Sequence, residues 1–134
     1  MPSRTKTDRL LSSPPEFGIV ERGLEASTSV IAVQGDLDLA TAPRLKRTLL
    51  NLLQTGSSRL VIDLSHTTFV DSTALSVLVG VTRRLDPDAG LAIVCAQPSV
   101  LKIFELAGLD GAFAIFPTLD EALAHLRGDA AWAS

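Results

Sequence analysis

The chain has 134 residues and a formal charge of −3, from 12 Lys and Arg against 15 Asp and Glu. That size suits one domain able to bury roughly two thirds of the surface its unfolded form exposes, so no cofactor or disulfide is needed for stability. The charge balance argues against a general nucleic-acid surface and makes a basic protein partner the better expectation, and no apolar run approaches the roughly 20 residues that span a bilayer.

Met1 to Glu16 carries Arg4, Lys6 and Arg9 but no apolar core of a secretory signal, and its Ser, Thr and Pro content reads as a flexible tail. The expected product is soluble and cytoplasmic. Phe17–Glu21 and Ser29–Gln34 read as two strands joined through a loop containing Gly23, an antiparallel pair. Thr41 is expected to cap a helix with Pro43 in its first turn, and Leu45, Leu49, Leu52 and Leu53 share one face until Gly56. Arg44, Lys46 and Arg47 fall on the opposite face, where solvation explains them.

Leu60–Leu64 reads as a central strand, with Asp63 its odd charge. A polar link and Phe69-Val70-Asp71 then lead into a helix opening at Ser72 and running to Leu85. Leu75, Leu78, Val79 and Leu85 form its apolar stripe, Val77 and Val81 widen it, Arg83 and Arg84 complement the dipole, and Asp86-Pro87-Asp88-Ala89-Gly90 breaks it. Leu91–Cys95 is the next strand, and Cys95, alone and amid apolar neighbours, reads as a small buried hydrophobe. Ser99 is expected to cap a short helix with Val100, Ile103, Phe104 and Ala107 on one face. Ala112–Phe116 reads as a last strand. Thr118 and Glu121 have capping-box spacing for a terminal helix with Ala122, Leu123 and Leu126 inward. The domain is expected over 17–128, between tails 1–16 and 129–134, the latter containing Trp132.

Strands alternating with helices after Gln34 imply right-handed crossovers, hence an α/β fold with a largely parallel sheet and one antiparallel strand. Crossovers also bring the segment Gly35–Thr41 beside the segment Ser65–Ser72 at one edge of the sheet. Asp36, Asp38, Asp71 and Ser72 are thereby expected on a common surface, with Thr73 as a neighbouring hydroxyl. Asp and Ser are common N-cap residues, so Asp71-Ser72-Thr73 alone needs no role beyond starting a helix.

The longer context adds to this. Gly35-Asp36-Leu37-Asp38-Leu39-Ala40-Thr41-Ala42-Pro43, Leu60-Val61-Ile62-Asp63-Leu64-Ser65 and Phe69-Val70-Asp71-Ser72-Thr73-Ala74-Leu75 come in that order. Gly90–Val94, Pro98–Val100, Leu106–Leu109 and Pro117–Leu123 follow. From about Phe17 to Arg127 this pattern resembles the STAS family, specifically its stand-alone anti-sigma factor antagonists. The resemblance implies a single STAS-like domain with a mixed, mostly parallel sheet and about four helices mainly on one face. It implies that Ser72, directly after the Asp, is phosphorylated by an anti-sigma factor with serine kinase activity and restored by a phosphatase. It also implies that phosphorylation switches off partner binding and so regulates sigma-factor-dependent transcription. Asp36, Asp38, Asp71, Ser72 and Thr73 are then candidate partner contacts, the partner brings ATP and metal, and this chain needs neither cofactor nor metal of its own. Two departures stand out: Ala74 where the family usually has Gly, and Asp36 where it often has Glu. The Ala74 methyl is expected to bear on partner fit more than on the fold.

An enzyme is not expected. Ser72, His66 and Asp71 invite a Ser-dependent hydrolase, yet the Ser lies outside a Gly-x-Ser-x-Gly elbow. With no Tyr, no Cys-His cluster and no Gly-rich phosphate loop, metal hydrolase and nucleotidase readings are weaker still. The competing binding reading is a STAS subunit that docks on a transporter ATPase without being phosphorylated.

Overall fold

The computed structural model describes residues 16–24, 27–85, 90–109 and 111–128. The expected tails, apart from Glu16, and the breaker Asp86–Ala89 lie outside these residues. Among them, five strands form one sheet in chain order, β1 Gly18–Leu24, β2 Thr28–Leu37, β3 Arg59–Val70, β4 Gly90–Val94 and β5 Ala114–Phe116. β1 is antiparallel to β2, and the other neighbours are parallel. The helices are α1 Ala42–Gln54, α2 Ser72–Thr82, α3 Pro98–Leu106 and α4 Leu119–Leu126.

β3 is central and its first half is covered on both faces, which is why Leu60–Leu64 reads as an apolar run interrupted only by Asp63. Leu60, Ile62 and Leu64 meet Leu45 and Leu49 of α1, Leu75 and Leu78 of α2, and Val100 and Phe104 of α3 in the main core. Phe104 also meets Phe113 edge-on, with ring centroids 6.0 Å apart. On the opposite face Val61 joins Val30, Ala92, Val94 and Ala122, so among the described helices α4 covers that side. Each fully buried Leu or Phe contributes about 1.5–3 kcal/mol, which anchors the helices to the sheet. Gly90 admits α4 at close range, since a Cβ there would lie 2.6 Å from Leu126 Cδ2.

Several boundaries differ from the sequence expectation. Gly23 lies inside β1, paired with Ser29, because the antiparallel ladder continues to Leu24 and Thr28 and outweighs glycine's weak strand preference. β3 does not end at Leu64 but runs on to Val70, paired with β2 up to Leu37. Polar residues there satisfy the ladder, so polarity did not mean loop. Between the pairs Thr28↔Arg59 and Leu37↔Val70, β3 holds two residues more than β2, inserted at register shifts beside Val33 and beyond Gly35. Gly35 adopts φ +86 at the second shift, a conformation that costs other residues more.

Capping also differs. Thr41 stands before α1, yet its side chain makes no cap bond. Its hydroxyl instead donates to the Asp36 carbonyl at 2.8 Å, and Asp38 Oδ1 accepts from the N–H groups of Ala40 and Thr41 at 3.0 and 3.1 Å. α3 begins at Pro98, with Gln97 before it, so Ser99 lies inside the helix; proline's fixed φ and missing N–H suit that first position. β5 is shorter than expected because Phe113 turns into the core. In α4, Thr118 accepts from the Glu121 N–H at 3.3 Å, half of the expected box. Arg44 is not purely solvated, since its guanidinium lies 4.8 Å from the centre of the Phe17 ring.

Candidate functional site

The ends of β2 and β3 are joined by the last rungs of their ladder, Asp36↔Phe69 and Leu37↔Val70, and the Asp71 N–H donates to the Leu37 carbonyl at 3.1 Å. The two segments expected to be neighbours are therefore in direct contact. Asp71 is extended at φ −110, ψ −179 and caps α2. Its Oδ1 accepts from the N–H groups of Thr73 at 2.9 Å and Ala74 at 3.1 Å, and Oδ2 accepts from the Leu39 N–H at 3.1 Å. One carboxylate thus satisfies two orphan donors of α2 and ties the segment after β2 to the start of that helix.

Because Asp71 does the capping, Ser72 does not. Ser72 is exposed in the first turn of α2, and its hydroxyl makes no hydrogen bond among the described residues; only its carbonyl is engaged, by the Ser76 hydroxyl at 3.0 Å. Helix-start N–H groups and the macrodipole favour negative charge at this place. Thr73 is half-buried, with its N–H on Asp71, and borders a groove of about 280 Å³ between α1 and α2 together with Lys46, Ser76 and Arg84. A second groove, toward the end of α3, runs past Ser72 itself, with Leu75, Val79, Arg83 and Leu109.

Asp36 and Asp38 are half-buried at the same edge but turned to internal partners. Asp36 Oδ1 accepts from the Thr68 hydroxyl at 2.6 Å, and Asp38 serves the turn before α1. Asp63 binds the N–H of Ser65 at 2.9 Å and also its hydroxyl. The residue that the family pattern singles out, Ala74, is fully buried in the main core, so its methyl faces the sheet and not a partner. This corrects the expectation that it bears on partner fit.

Sequence reasoning missed two exposed apolar side chains, Leu39 at 71% and Phe69 at 48% exposure, at the edge that carries Asp71 and Ser72. Their signal was present, since each is an apolar residue inside a polar stretch, but only the register shifts of β3 decide that Phe69 faces outward. Among the described residues, no group of three or more His, Cys, Asp or Glu could hold a metal, and no helix is long and apolar enough to cross a membrane.

A profile of the STAS domain matches residues 23–122. An anti-sigma-F factor antagonist, RsfB, from Mycobacterium tuberculosis is 30% identical over 100 residues, 75% of this chain and 82% of that protein. An anti-sigma-B factor antagonist from Staphylococcus aureus is 31% identical over 80 residues, 59% and 74% of the two chains. The crystal structure of an anti-sigma factor antagonist from Mycobacterium paratuberculosis superimposes with a TM-score of 0.79 at 31% identity, covering 84% of this chain and 95% of that one. In sequence pattern, sheet order and helix placement alike, the chain belongs to the STAS-domain family of anti-sigma factor antagonists.

Proposed function

We propose that this protein is an anti-sigma factor antagonist that binds an anti-sigma factor while Ser72 is unmodified and is released when that factor phosphorylates Ser72. It is a regulatory binding protein and not an enzyme. What carries the reading is the division of labour at the start of α2, where Asp71 holds the helix and leaves the Ser72 hydroxyl exposed and unbonded. The same capping argues against a hydrolase, because all three contacts of the Asp71 carboxylate are to backbone N–H groups and not to His66.

A phosphate adds about 1.5–2 negative charges. At the first turn of a helix the fold tolerates that charge, whereas an interface fitted to a neutral hydroxyl, beside the carboxylate of Asp71, does not. A loss of about 2.8 kcal/mol in binding is already a hundredfold change in affinity. The docking face comprises Ser72 and Thr73 with the apolar rim of Leu39 and Phe69, and Asp36, Asp38 and Asp71 shape it by fixing its backbone. A phosphatase returns the protein to its binding form, the cycle runs in the cytoplasm, and its output is access of a sigma factor to RNA polymerase.

The test is intact-mass measurement after incubation with the cognate anti-sigma factor and ATP, on wild type and Ser72→Ala. One added phosphate on the wild type and none on the variant supports the reading. Phosphorylation of the variant to the same extent, or a wild type that binds its partner equally well with and without phosphate, defeats it.

A further inference from the structure

Among the described residues, the second half of β3 has a strand neighbour on one side only. β4 pairs with β3 only as far as Asp63↔Val94, whereas β3 continues against β2 to Val70. Buried strand carbonyls left without a partner cost about 1–3 kcal/mol each. Here a side chain replaces the missing strand. Gln97 Nε2 donates to the carbonyls of Leu64 and Thr67, both at 2.7 Å, while its Oε1 accepts from the Ala96 N–H at 3.0 Å and the Cys95 thiol at 3.4 Å. Two carbonyls can only accept and a backbone N–H can only donate, so the carboxamide orientation is chemically forced.

Gln97 stands at the N-cap position of α3 yet makes no cap bond with its side chain. Glutamine is not among the preferred N-cap residues, so the choice answers another demand. Of the two carbonyls it holds, that of Leu64 lies within the first register shift of β3, between Asp63 and His66, and that of Thr67 lies just beyond it. On the β2 side of the same stretch, the buried Thr67 hydroxyl donates to the Val33 carbonyl at 2.9 Å, and Thr68 secures the second shift through Asp36. Each extra residue in a strand reverses the face of every side chain after it. Asp71 and Ser72 follow directly, so the state of these shifts decides where the junction points.

We propose that Gln97 is a positioning residue for the phosphoacceptor: its carboxamide stands in for β4 along the bulged end of β3 and thereby sets the place of Ser72. The proposal rests on the reading of Ser72 as the phosphoacceptor. Gln97 touches neither ATP nor the reacting hydroxyl; it acts through the backbone of β3.

The experiment compares wild type with Gln97→Met, which keeps bulk and removes all four polar contacts, and Gln97→Glu, which keeps length and removes the two donors. Two readouts are taken: phosphorylation kinetics with the cognate anti-sigma factor and ATP, and native-state hydrogen exchange. The expected result is a fall in kcat of about tenfold or more with KM nearly unchanged, since displacement of a reacting group by about 1 Å is costly. Exchange should quicken at the amides of Leu39, Asp71 and Thr73 and not at Ile62 or Leu78. Unchanged kcat in a folded variant, or exchange raised evenly through the core, overturns the proposal. If Gln97→Met does not fold, Gln97→Glu decides by the same criteria. A wild type that takes no phosphate on Ser72 defeats the phosphoacceptor reading, and this proposal with it; selective exchange in the variants would then still identify Gln97 as the clamp of β3.

Discussion

Asp71 accepts the backbone N–H of Leu39 at 3.1 Å across 32 residues of sequence. The same carboxylate caps α2, so the end of β2 and the start of the helix share one anchor. The consequence is chemical: with Asp71 at the N-cap, the serine that follows opens the helix with its hydroxyl free of any capping task.

That anchor predicts a graded stability series. Asp71→Ala should cost about 2 kcal/mol in urea unfolding, combining a lost cap of roughly 0.5–2 kcal/mol with the lost Leu39 tether. Asp71→Asn should cost about half as much, since Asn caps as well as Asp but cannot present acceptors to both sites. Equal stability for wild type and the Ala variant would show that the carboxylate is not an anchor.

Ser72 should show the opposite profile. Ser72→Ala should change unfolding free energy by no more than about 0.5 kcal/mol, as for an exposed residue without partners. By calorimetry it should bind the anti-sigma factor like the unmodified wild type, whereas phosphoprotein should bind about a hundredfold more weakly. Ser72→Glu, with one charge and a different shape, should fall between them.

Leu39 and Phe69 separate binding from folding. Leu39→Ser and Phe69→Ser should leave the thermal midpoint nearly unchanged, because neither side chain is buried. Each should weaken partner binding by about tenfold, the effect of losing an apolar anchor of an interface. Midpoints that drop while affinity holds would place these side chains in the fold and not at the contact.

Ala74 should behave as a core residue. Ala74→Gly restores the residue usual in the family and should cost about 1–2 kcal/mol, from helix propensity and a lost buried methyl, with partner affinity retained. Tighter partner binding by the Gly variant would place the methyl at the interface after all.

Burial pushes the Cys95 thiol pKa above its ordinary value, opposed by a backbone hydrogen bond from Gln97. Since the folded pKa lies above the unfolded one, this group's contribution to stability is full below the unfolded pKa and is lost as pH rises through the folded value. Alkylation of native protein by iodoacetamide should be slow at neutral pH and become fast in denaturant. Fast native labelling would contradict the burial of this thiol.

How much of this was legible beforehand follows from the range of the forces involved. The leucine face of α1, the apolar run Leu60–Leu64 and the strand expected at Leu91–Cys95 are local patterns; the first formed where its periodicity placed it, the second formed inside the longer β3, and the third formed one residue earlier, at Gly90–Val94. The adjacency of the segments Gly35–Thr41 and Ser65–Ser72 followed from the parallel crossovers, which put successive strand ends at one edge of the sheet and need only the order of the elements.

What the amino-acid order alone determined, then, was the α/β architecture and the identity of the candidate edge, because helix and strand periods are written in neighbouring residues. The length of β3, the outward turn of Phe69, the inward turn of Ala74 and the contacts of Gln97 were decided by tertiary structure. The course of β3 and the edge it carries depend on backbone groups finding partners some 30 residues away, as Leu64 and Thr67 find Gln97 and as Leu39 finds Asp71, and no local pattern records such a pairing.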